Sequence, residues 1–78
     1  MQVRVEGYSG YKADERPRRF CLGERWYEVR EVLDRWYGPD HAWFRVEADD
    51  GDLYVLRLDQ STFEWSLAAY GSSVRRGR

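Results

Sequence analysis

The reactive side chains are scarce. The 78-residue chain holds one histidine, His41, one cysteine, Cys21, and one lysine, Lys12. A cysteine becomes a nucleophile when a cation or a helix end lowers its pKa. Cys21 sits instead in the short apolar stretch Phe20-Cys21-Leu22, where a packing role is expected. His41 follows Pro39-Asp40 and reads as a solvated loop residue. No second histidine, no Ser-His-Asp order and no glycine-rich phosphate loop supplies a mechanism. Asp49, Asp50 and Asp52 offer the oxygens that calcium and magnesium prefer. The spaced ligands and terminal Glu of a calcium loop are missing, so these aspartates read as turn residues. A lone cysteine also excludes an internal disulfide and a cysteine-based zinc site. The expectation is a protein that is not an enzyme, with no catalytic residue, no metal and no cofactor.

Arginine and aromatic residues make a second pattern. Twelve of the 13 basic residues are arginine, and 17% of the chain is aromatic. They interleave as Arg18-Arg19-Phe20, Arg25-Trp26-Tyr27 and Trp43-Phe44-Arg45. Single-stranded nucleic acid binds by stacking bases on rings while cations follow the phosphates. Arg18, Arg19 and Trp26, together with Trp43, Arg45 and Arg57, are the candidate contacts of that kind. The formal charge of −1 argues against it. Without Arg75, Arg76 and Arg78 the remaining residues 1–70 carry −4, which opposes phosphate binding further. A tryptophan covered by an arginine on a sheet surface explains the same pattern without a ligand.

These side chains must be held by strands. Val3 and Val5 alternate with polar neighbours, as a half-buried strand requires. Phe20-Cys21-Leu22 and Trp26-Tyr27-x-Val29 flank Gly23-Glu24, and a glycine at the first central position marks a type II′ hairpin turn. That turn sets Phe20 opposite Tyr27 and Cys21 opposite Trp26. Residues 28–37 are ambiguous, because Val29, Val32, Leu33 and Trp36 follow helical spacing. A long strand bulged near Arg30-Glu31 explains the same change of phase. We read the bent strand, with a short helix packed on the sheet (an α+β fold) as the alternative. Further on, a three-residue loop ending at Gly51 pairs Phe44 with Leu56 and Val46 with Tyr54. A four-residue loop, Asp59-Gln60-Ser61-Thr62, pairs Leu58 with Phe63, Leu56 with Trp65 and Tyr54 with Leu67. It also sets Arg57 beside Glu64 on the other face.

The fold expected is all-β, an antiparallel meander of five or six strands rolled into a half-open barrel. Residues 1–70 form a single small β domain and residues 71–78 a disordered basic tail. No apolar run reaches the ~20 residues of a membrane span and no signal peptide opens the chain, so a cytoplasmic protein with no membrane contact is expected.

The order of several residues is familiar. Arg16-Pro17-Arg18-Arg19-Phe20, Gly23, and Trp26-Tyr27-x-Val29-Arg30-x-Val32-Leu33-x-x-Trp36 resemble a family of small uncharacterised bacterial domains. Trp43-Phe44-Arg45-Val46-Glu47-Ala48, Tyr54-x-Leu56 and Trp65-x-Leu67 extend the resemblance over roughly residues 2–68. Some members of that family are encoded near translesion DNA polymerases. The resemblance therefore implies a bacterial DNA-repair context, and it carries no catalytic or binding residue.

The face that the core does not use offers Trp43, Arg45, Leu53, Val55 and Arg57. A mixed apolar and arginine surface of this kind suits a protein partner or a second copy of the chain. The expected function is a small non-enzymatic interaction module, with a single-stranded nucleic-acid-binding domain as the alternative.

Overall fold

A computed structural model describes residues 2–7 and 16–71. They form six strands and no helix: β1 (Gln2–Glu6), β2 (Arg19–Leu22), β3 (Arg25–Tyr37), β4 (His41–Ala48), β5 (Leu53–Asp59) and β6 (Glu64–Gly71). Each strand runs antiparallel to the next, and β1 closes the ring against β6 through Gln2 opposite Ser66 and Val3 opposite Trp65. The sheet is thus a closed barrel, which the sequence suggested only as half-open. Closure leaves fewer unpaired strand edges. Residues 8–15 of the expected first loop, and residues 72–78 of the expected tail, lie outside the described residues. Gly71, the first residue of that tail, is still paired, opposite Leu53.

Alternation builds the core. Ala42, Phe44, Val46 and Ala48 on β4 are buried, as are Tyr54, Leu56 and Leu58 on β5, while the residues between them turn outward. Val3, Phe20 and Trp65 complete the cluster. Phe20 stacks on Tyr27 at 5.2 Å and meets Tyr54 edge-on at 5.1 Å, and Trp65 lies 5.6 Å from Phe44. Full burial of a side chain the size of Phe44 or Leu56 contributes about 1.5–3 kcal/mol.

Two hairpins have the expected registers. Phe20 opposes Tyr27 and Cys21 opposes Trp26, around Gly23 at φ 62°. Phe44 opposes Leu56 and Val46 opposes Tyr54, around Gly51 at φ 86°.

Residues 28–37 belong to β3, not to a helix. Register shifts fall between Val29 and Glu31 and between Val32 and Asp34. Arg30 and Leu33 are the extra residues, and each resets the alternation. Val29 and Val32 therefore both pack on the core, whereas Leu33 is 39% exposed and Trp36 faces outward. Two bulges produce the spacing that imitates a helix.

The β5–β6 register differs from the expected one by two residues. Leu58 opposes Trp65, Leu56 opposes Leu67, and Arg57 opposes Ser66 rather than standing beside Glu64. After a shift between Val55 and Leu56, Tyr54 opposes Tyr70. Asp59 is the cause. It is still paired, with His41 on one side and Glu64 on the other. Its carboxylate accepts the N–H groups of Ser61 and Thr62 and the Ser61 hydroxyl. The loop is therefore residues 60–63, and Phe63 ends it at φ 61°. A slip of two keeps the parity, so Trp65 and Leu67 remain on the core side.

Candidate interaction surface

The five residues expected on the outer face are found there together. Trp43 opposes Arg57, Arg45 opposes Val55, and Leu53 opposes Glu47, all between strand positions whose side chains are core. Strand β3 extends this surface, because Trp36 opposes Trp43 and Asp34 opposes Arg45. One row across the sheet is Trp36, Trp43, Arg57 and Ser66. Trp36 is 48% exposed. Trp43 is half-buried, with the His41 ring 5.8 Å away and Gly38 so close that an added Cβ would lie 3.3 Å from its indole. Arg57 is exposed and donates from Nε to the Ser66 hydroxyl at 3.3 Å. The neighbouring row holds Arg45, whose Nε and Nη2 both donate to Oδ2 of Asp34. Its charge is already matched, whereas no carboxylate among the described residues forms an ion pair with Arg57.

The nucleic-acid candidates divide. Trp26 lies under two guanidinium groups, Arg19 at 4.5 Å and Arg4 at 5.5 Å from the ring centroid. Arg19 is also within 3.6 Å of Glu6 and 3.5 Å of Glu28. Arg18 is exposed, and the start of its side chain covers Gly7. Trp26 is the second residue of β3 and Trp36 the last but one, so the Trp26 group and the Trp43 group stand toward opposite ends of that bulged strand, at most roughly 30 Å apart along it.

The reactive groups are also apart. Cys21 is 6% exposed and its thiol donates to the carbonyl of Gly23 at 3.3 Å. His41 is not in a loop; it opens β4, with Nε2 3.7 Å from Oδ2 of Asp59. The two side chains line different depressions. Asp50 and Asp52 act as turn residues: Asp50 accepts the N–H of Asp52 and the Tyr54 hydroxyl, and Asp52 accepts the Tyr70 hydroxyl. No group of three potential metal ligands gathers among the described residues. None of their secondary structure is a helix long and apolar enough to cross a membrane.

Trp36 and Arg4 were not among the expected site residues. Trp36 was hidden by the ambiguity of β3; taken as a strand, the turn at Gly38-Pro39-Asp40 would have set it beside Trp43. Arg4 reaches Trp26 through the β1–β2 pairing, which no short turn announces.

Comparison with models of protein families, with curated proteins and with solved structures finds no match.

Proposed function

We propose that the chain is a non-enzymatic interaction module that holds a protein partner, a second copy of itself included, against the outer face of β3, β4 and β5. The observation that carries this reading is the row of Trp36, Trp43 and Arg57, lying side by side where the core has no use for them. Tryptophan and arginine are the residues that most often dominate binding energy at protein interfaces. Val55 and Leu53 flank the row with half-buried apolar surface, and the Asp34–Arg45 pair borders it. The resemblance of the sequence would place such a partner among bacterial DNA-repair proteins in the cytoplasm.

The nucleic-acid alternative has less support. Trp26 lies near the start of β3 whereas Trp43, on β4, lies opposite the other end of β3, and the rings and charges around Trp26 already engage one another.

A photo-cross-linking residue in place of Leu53, used in the native cell, tests the reading. One defined protein should be cross-linked, and W36S and R57E variants that remain folded should lose it. Equal cross-linking by those folded variants overturns the proposal. Fluorescence anisotropy with labelled single strands at low salt separates the alternative, which requires binding that weakens steeply as salt rises.

A further inference from the structure

A different part of the molecule has the chemistry of a ligand site. One mouth of the barrel is a depression of about 460 Å³ between the β2–β3 turn, the β4–β5 turn and the end of β6. Tyr27, Tyr54 and Tyr70 form its aromatic wall, with ring centroids 5.4 Å apart between the first two and 5.1 Å between the last two. Leu22 and Leu67 supply apolar walls. Asp50 and Asp52 stand at the rim. Each accepts a tyrosine hydroxyl at 2.7 Å, which fixes its position beside the rings. A carboxylate can accept several further hydrogen bonds, so both retain capacity to receive donors.

Rings with adjacent carboxylates form a site for a cation. The negative face of an aromatic ring attracts an ammonium or guanidinium group, and the carboxylates complete the charge match. The protein already holds such a group here: the Arg25 guanidinium lies 4.9 Å over the Tyr27 ring. A planar guanidinium both stacks on rings and donates in pairs to carboxylates, which an ammonium does less well.

We infer that this mouth binds an arginine side chain of a partner polypeptide, whose guanidinium enters the depression lined by the tyrosines and donates to the carboxylates of Asp50 and Asp52, beside the stacked Arg25. The site lies away from the Trp36 row and stands independently of the function proposed for it. Arg25 is a neighbour of like charge, so it weakens the site while marking its preference.

A blocked Gly-Arg-Gly peptide, titrated into the full chain and followed by backbone amide NMR, tests this. Saturable shifts should appear at residues 50–54 and 67–71, with a dissociation constant below about 10 mM. The peptide with citrulline in place of arginine keeps the shape and loses the charge, and it should bind at least about fivefold more weakly. D52N keeps an acceptor for the Tyr70 hydroxyl and removes a charge, so it should weaken binding by a similar factor. R25Q should strengthen it. Absence of saturation, equal shifts with citrulline, or shifts centred on Trp36 and Trp43 would each overturn the inference. The last outcome would leave the proposed contact row standing.

Discussion

Trp36 lies directly across from Trp43 on the side of the barrel that the core leaves to solvent. One position along, Arg35 lies across from Phe44, which is fully buried. Trp43 and Phe44, adjacent on β4, therefore face opposite sides of the sheet, and substitutions on the two sides should separate their purposes. F44A removes a ring from a closed core and is expected to cost about 3–5 kcal/mol. W36S removes a ring that is 48% exposed and should cost under about 1 kcal/mol. Urea unfolding of both variants checks the division. If W36S costs as much as F44A, the outer row is structural and not a contact surface.

Legibility in the sequence followed the turns. The β2–β3 and β4–β5 registers were readable because Gly23 opens one turn and Gly51 marks the other, and the flanking apolar residues then allow one pairing. Trp43 and Arg57 came into view with them. At β5–β6 no glycine marks the loop, and registers two residues apart both match apolar partners. What decides between them is the capping of Ser61 and Thr62 by Asp59, a local hydrogen-bond preference that competes with side-chain matching. Strand β3 was obscured for another reason. Bulges at Arg30 and Leu33 disturb the two-residue period that identifies a strand. Trp36 was lost from the expected site with that period, and Arg4 because β1 and β2 pair across a long connection.

Gly7 and Gly23 both have positive φ, 88° and 62°, but their surroundings differ. A Cβ on Gly23 would meet nothing within 4 Å, whereas one on Gly7 would lie 2.5 Å from Cγ and 2.7 Å from Cβ of Arg18. G23A should cost only the left-handed backbone strain, about 1–2 kcal/mol. G7A adds a clash with the base of the Arg18 side chain, which cannot swing away as its tip could. It should be the more damaging substitution by thermal unfolding. Equal losses would show that Arg18 is not packed on Gly7.

Phe63 has a left-handed backbone, φ 61°, at the end of the β5–β6 loop, and is 49% exposed. A bulky side chain is a rare occupant of that region. F63G should relieve about 1–2 kcal/mol of strain; glycine's greater freedom in the unfolded chain takes back about 0.5–1 kcal/mol, so a gain of under about 1 kcal/mol is expected. Denaturant midpoints measure the difference. A destabilised F63G would mean that the ring's contacts outweigh the backbone strain.

Tyr54 makes the stability of the barrel sensitive to alkali. Tyr54 is 3% exposed, and burial first, then the adjacent Asp50 carboxylate that accepts its hydrogen bond, hold the phenol well above its ordinary value of 10.0. A group whose pKa is raised by folding contributes stability that is fully present below the unfolded value. That contribution is lost as pH climbs beyond it, because the unfolded chain ionises while the folded one resists. The barrel should therefore hold its stability up to about pH 10 and lose it progressively above that point. Y54F cannot ionise, so its stability should fall less over the same range, even though it begins lower by about 1 kcal/mol for the missing hydrogen bond. Unfolding midpoints at a series of alkaline pH values for the two proteins decide the matter. Parallel curves would show that other groups govern the loss and that the Tyr54 proton plays no part in it.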